Sequence, residues 1–226
     1  MNSMERALSA AGFQVHNVDY PSRSGSTDQL SESVVGWAVD ECQDSGDKTI
    51  HFVTHSFGGI LVRSYLARHT LTNVGHLVML GPPNQGSEVV DKLGKCGLFR
   101  KILGLAGAEL GTDTNSIPFK LGTPDYSVGV IAGNRSLNWI NSLMIPGRDD
   151  GKVSIERTKL PGMVEHVVVP ATHPFLMRNQ TAIRQTISFL RAGRFESATV
   201  SGRGRNAAQC PSLEDQGTGT GQGRFP

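Results

Sequence analysis

Thr54-His55-Ser56-Phe57-Gly58-Gly59 stands where a strand-like run, residues 48–54 (KTIHFVT), meets an apolar-periodic run, residues 60–69 (ILVRSYLARH). A chain turning directly from a strand into a helix forces the middle residue into a strained backbone conformation, and small flanking residues let neighbouring backbones approach. Ser56 is that middle residue, placed to project its hydroxyl at the carboxyl edge of a sheet. The helix it opens brings unpaired amides and a partial positive charge beside the hydroxyl, which suits an anion. The Phe57 N–H is the natural first donor to such an anion. The chemistry is nucleophilic attack by a seryl oxygen, which needs a base and a carboxylate to orient that base. The plain alternative is an ordinary serine at a helix N-cap.

The hexapeptide resembles the nucleophile elbow, G-x-S-x-G, of the α/β-hydrolase fold, with Thr54 in the place of the first glycine. The resemblance implies the chain order serine, acid, histidine. Of the histidines after Ser56, His69 ends the elbow helix, where a capping role is expected, and His76 and His166 lie inside strand-like runs. His173, in Thr172-His173-Pro174-Phe175, follows the last strand-like run and precedes the last helical one, so it is the expected base. Gly147-Arg148-Asp149-Asp150-Gly151-Lys152-Val153-Ser154 looks like the D-G-x-V-S/P segment of bacterial lipases and related hydrolases, in which the Asp before Gly supplies the carboxylate. Asp150 is the expected acid; Asp149 is the alternate, expected otherwise to cap or fix the loop, and Asp125 is the outsider. Leu80-Gly81-Pro82-Pro83-Asn84-Gln85-Gly86-Ser87 is similar to the G-[TS]-P-x-x-G-S loop of lipase-like hydrolases, although Pro82-Pro83 equally serves to end a strand.

These matches imply a lipase- or esterase-like serine hydrolase of carboxylic esters, free of cofactor and metal, working through an acyl-enzyme on a small-molecule or lipid ester. Amidases, thioesterases and acyltransferases would use the same machinery. In the resembled family a second oxyanion donor comes from a His-Gly loop ahead of a helix like residues 1–11, and no His-Gly dipeptide precedes that helix here. The expectation is therefore an N-terminally truncated hydrolase domain, lacking the strand between residues 12–20 and 48–54. Either the recorded sequence starts late, the favoured reading, or the sheet closes up around the loss. The rival function is a non-catalytic or weakly active fragment or binding scaffold. Leucines and basic residues interleaved over residues 86–125 read as an apolar cap for an acyl chain, or equally as an amphipathic helix on the sheet.

The elements that must position these residues alternate. Strand-like runs occupy residues 12–20, 48–54, 74–80, 126–132 and 164–169, and helical patterns occupy 27–44, 57–69 and 178–191. Strands separated by helices favour an α/β architecture, a mostly parallel sheet with helices on both faces. A length of 226 residues fits one domain, residues 1–195, plus a tail, residues 196–226, whose glycines and sparse apolar residues predict disorder. Basic and acidic residues, 22 against 20, are mixed along the chain, which argues against nucleic-acid binding. No apolar run approaches the roughly 18 residues of a membrane-spanning helix. Cys42, Cys96 and Cys210 lack a disulfide or zinc pattern, and His51 with His55 finds no third ligand. With no signal-peptide pattern the default location is cytoplasmic, although a signal peptide would be lost with a missing N-terminus. The oligomeric state is not legible.

Overall fold

The computed structural model describes residues 1–22, 24–46, 48–87, 90–91, 109–136 and 148–197. Helix α1 (Asn2–Ala10) comes first. Helix α2 (Thr27–Leu30), a π-helical stretch (Ser31–Gly36) and α3 (Trp37–Asp44) then run on from one another, as the amphipathic pattern predicts. A capping box starts this segment: the Ser26 hydroxyl accepts from the Gln29 N–H while the Gln29 side chain accepts from the Ser26 N–H. Strand β1 (Ile50–His55) leads into α4 (Gly58–Leu66), followed by β2 (Val74–Leu80), the short α5 (Ile117–Lys120) and β3 (Ser127–Gly133). The one-turn α6 (Ile155–Thr158), β4 (Glu165–Val169), a 3₁₀ helix (His173–Arg178) and α7 (Gln180–Ala192) complete the order. Asn179 caps α7 by accepting from the Ala182 N–H, and Gly193 ends it in the left-handed region at φ 67°.

The sheet is parallel throughout, in the order β1-β2-β3-β4, with His55 opposite Leu80, Leu80 opposite Ile131 and Ile131 opposite Val167. All carboxyl ends therefore share one edge, where open α/β sheets place their ligands. Alternation along each strand divides the core. Leu77 and Met79 of β2 face Leu30, Val35, Val39, Leu61 and Tyr65, while Val78 and Leu80 face Met4, Leu8, Ile183 and Phe189. Helices cover both faces, as the alternating pattern implies.

The strand expected over residues 12–20 does not form. Residues 13–20 carry no ladder, and among the described residues β1 pairs with β2 alone. Strand character requires a neighbour's N–H and C=O groups, and this segment is held by other means. Phe13 and Val15 pack into the α1–α7 side of the core, and Asn17 donates to Glu5 of α1 at 2.7 Å. Of the cap expected within residues 86–125, residues 88–89 and 92–108 lie outside the described residues, as do Cys96, Cys210 and nearly all of the predicted tail. Among the described residues no helix is long and apolar enough to cross a membrane.

Gly129 tests the packing of α7. A β-carbon there would lie 2.7 Å from the Phe189 ring and 2.8 Å from Phe195. Gly129→Ala is expected to lower the unfolding free energy by about 1–3 kcal/mol in urea titration, the usual cost of overpacking a core. Wild-type stability in that variant would contradict the close approach of α7 to β3.

Candidate active site

Ser56 begins the turn between β1 and α4 with φ 55°, and among the described residues it is the one non-glycine residue with positive φ. A side chain in the left-handed region costs on the order of 1–2 kcal/mol. The neighbours accommodate it. The Ser56 N–H donates to the Leu80 carbonyl at 2.8 Å, extending the β1–β2 ladder by one residue, and Gly59, whose β-carbon would lie 2.3 Å from Met79 Cε, lets α4 settle on β2. Phe57 stands at the N-cap of α4, so its N–H is among the amides that the helix leaves without intrahelical partners.

The structure brings Ser56, His173 and Asp150 into one hydrogen-bonded chain. Ser56 Oγ lies 2.9 Å from His173 Nε2, and His173 Nδ1 lies 2.7 Å from Asp150 Oδ2. A carboxylate can only accept, so His173 Nδ1 carries the proton and Nε2 is left to accept from the serine hydroxyl. Asp150 Oδ1 accepts from the N–H groups of Lys152 and Val153 at 3.0 and 2.9 Å, which fixes the carboxylate plane. Asp150 is 1% exposed and His173 5%. The His173 N–H also donates to the Asp150 carbonyl at 2.8 Å, so the two loops are joined through backbone as well as side chain.

The other candidates sit elsewhere. Asp149 Oδ1 accepts from the Gly151 N–H, closing the turn in which Gly151 takes φ 97°. Asp125 lies just before β3, at the opposite edge of the sheet from Ser56. His69 stands just past α4, where its N–H donates to the Tyr65 carbonyl at 3.0 Å; its Nε2 lies 3.0 Å from the Glu32 carboxylate and its ring stacks on Tyr65. His166 Nε2 meets Thr158 Oγ1, and the His51 imidazole accepts from the His76 N–H. Although His51 and His55 share β1, His51 neighbours His76 whereas His55 neighbours His173. Among the described residues no group of three metal-ligating side chains occurs.

Several supporting residues were not legible. Gly81 and Gly133 end β2 and β3. A β-carbon on Gly81 would lie 3.1 Å from both Asp150 Oδ2 and His173 Nδ1, and one on Gly133 would lie 2.9 Å from Asp150 Cβ. Their bareness leaves room for the acid–histidine pair. His55 Nε2 lies 2.9 Å from the His173 carbonyl, and only its place beside Ser56 hinted at a role. Arg63, 2% exposed, reaches Asn84 Oδ1 and the carbonyls of Pro118 and Gly122; a cation inside the apolar run ILVRSYL was the available signal.

Burial, then the neighbouring His173, pushes the His55 pKa from 6.5 down to about 4, and burial likewise lowers His51 and His166. In the unfolded chain these imidazoles take up protons near pH 6.5, while folded His55 does so only near 4. The unfolded state thus binds more protons within that window, so stability is lost as pH falls through it. The urea midpoint should drop between pH 7 and about 4.5, with a shallower slope in His55→Gln. An identical slope in that variant would contradict a neutral, buried His55.

Comparison with known proteins adds three findings. The sequence model of a family described as palmitoyl protein thioesterase matches residues 1–116. No curated protein matches the chain. Among solved structures, the mature form of the Bacillus licheniformis lipase BlEst2 is similar at 18% identity and a TM-score of 0.59, covering 78% of this chain and 77% of the lipase. The phospholipase PlaB from Legionella pneumophila is similar at 21% identity and a TM-score of 0.57, covering 70% of this chain and 42% of that one. At these identities the likeness is one of fold, and this chain spans less than half the length of the phospholipase. The family match covers just over half of the 226 residues, and with the parallel sheet and its helical layers it shows that the chain belongs to the palmitoyl protein thioesterase family of the α/β-hydrolase superfamily.

Proposed function

We propose that this chain is a serine hydrolase of carboxylic esters, including thioesters, acting through an acyl-enzyme on Ser56. The observation that carries the reading is the hydrogen-bonded chain from Ser56 Oγ through the His173 imidazole to the Asp150 carboxylate. Ser56 Oγ attacks the carbonyl carbon while its proton passes to His173 Nε2. The resulting oxyanion faces the Phe57 N–H at the head of α4, where the helix dipole also favours negative charge. Collapse expels the alcohol or thiol, which takes the proton from Nε2. A water molecule then attacks the acyl carbon, giving its proton to Nε2, and the acid is released as the proton returns to Ser56 Oγ. Throughout, Asp150 holds Nδ1 protonated and stabilises the transient imidazolium.

The family description brings acyl thioesters within range, and Ser–His–Asp chemistry accepts either leaving atom. Rates on an oxygen ester and a thioester of the same acyl chain would rank the two. A fluorophosphonate probe is expected to label Ser56 in wild type and to label nothing in Ser56→Ala. A folded wild-type protein that neither labels nor turns over any ester would instead support a binding scaffold.

The adjacent aspartates give the sharper test. In Asp150→Asn the amide oxygen would keep the two backbone N–H groups, so its NH₂ would face His173 Nδ1 and force the proton onto Nε2. That tautomer cannot accept from Ser56, and kcat should fall by about 10⁴ with the fold intact. Asp149→Asn keeps an oxygen for the Gly151 N–H and should cost far less. The reverse ranking would reassign the acid.

A further inference from the structure

His55 is the last residue of β1 and the immediate neighbour of Ser56, yet its side chain reaches a residue 118 positions away. Its Nε2 lies 2.9 Å from the His173 backbone carbonyl, and the two imidazole rings are 4.8 Å apart at centroids, inclined by 47°. A carbonyl only accepts, so His55 Nε2 carries the proton and donates it. His173 is therefore gripped on both sides of its α-carbon: its N–H binds the Asp150 carbonyl, and its C=O binds His55. The first bond ties the histidine to the acid loop. The second ties it to the strand that ends in the nucleophile. The His173 ring, once its backbone is held, is aimed by Asp150 at one nitrogen and meets Ser56 at the other.

We propose that His55 is a positioning residue, whose Nε2–H bond to the His173 carbonyl fixes the base at the distance and orientation from which it takes the Ser56 proton. This rests on the serine-hydrolase reading. The geometry accounts for an imidazole in this place. A donor must stand on β1 beside the serine, span to the opposite loop, and remain uncharged beside a ring that becomes cationic during turnover. Lysine or arginine would satisfy the reach but add a like charge at close range. Burial and the adjacent His173 keep His55 neutral down to about pH 4, so the bond persists across the working range. A shift of about 1 Å in a reacting pair is enough to cost on the order of 10²-fold in rate.

Three variants separate positioning from mere bulk. His55→Phe keeps a ring without a donor, His55→Gln places an amide N–H near the position of Nε2, and His55→Asn carries the same group too short to reach. Two readouts are taken on each folded protein: kcat and KM on a soluble ester, and the low-field proton resonance of His173 Nδ1–H, which reports its bond to Asp150 without requiring turnover. His55→Phe and His55→Asn should lose kcat by about 10–100-fold, with KM within about twofold, and their low-field resonance should broaden or vanish. His55→Gln should retain the resonance and stay within about threefold of wild-type kcat. Should the Phe variant fail to fold, the Gln–Asn contrast carries the same comparison. Equal kcat and an unchanged resonance in wild type, Phe and Asn would overturn the proposal while leaving the hydrolase reading intact. Losses of the same size in Gln and Asn would also overturn it. An inactive, unlabelled wild type whose resonance still responds in this order would sink the hydrolase reading and leave the tether standing.

Discussion

The constraint on which the site depends is the left-handed backbone at Ser56. A residue with a β-carbon at φ 55° stands only where the surroundings hold it, and here both flanks are fixed. Upstream, β1 is locked in parallel register to β2, and the ladder continues through the Ser56 N–H itself. Downstream, α4 lies close against β2 because Gly59 has no β-carbon to meet Met79. Between these two fixed elements the chain must turn within two residues, and the turn lifts the serine oxygen above the sheet edge. The same turn leaves the Phe57 N–H at the head of the helix and His55 at the end of the strand.

A second, buried interaction carries the rigidity of the elbow outward. Arg63 projects from α4 into a cage of neutral acceptors: Asn84 Oδ1 at 3.1 Å and the carbonyls of Pro118 and Gly122 at 3.3 and 2.8 Å. Burial lowers its pKa to about 10, which still leaves it charged at neutral pH. A buried cation costs several kcal/mol to desolvate, and these dipoles offset that cost only in one arrangement. The arrangement propagates. Asn84 Nδ2 donates to the Thr158 carbonyl and the Gln85 N–H donates to the Arg157 carbonyl, so the loop after β2 is stitched to the segment that follows the acid loop. The links from α4 to this segment run through the Arg63 and Asn84 side chains, and the Gln85–Arg157 backbone bond supports them.

Glycines at the carboxyl ends of the strands decide how close these loops can come. Gly81 lies beneath the Asp150–His173 bond, and Gly133 lies against Asp150 Cβ and the Ala171 carbonyl. Gly81 takes φ 56°, a conformation that favours glycine, so there both backbone and space demand it. The central strands thus end in gaps, and the acid and the histidine fill them.

Much of this was written locally in the chain. The serine at a strand-to-helix junction, the alternation that splits β2 between two cores and the Asp-Gly turn ahead of Val153 all depend on residues within a few positions of one another, and such patterns survive in a linear reading. That Asp150, and not Asp149, meets the His173 ring depends on the same local turn, since Gly151 sets it for both. Tertiary structure alone decided which distant groups meet. The reach of His55 to the His173 carbonyl, the neutral cage of Arg63 and the room left by Gly81 and Gly133 each join segments separated by tens of residues or more. So did the fate of residues 13–20, which carry a strand-like pattern but no ladder, because a strand exists only where another backbone lies alongside to pair with it.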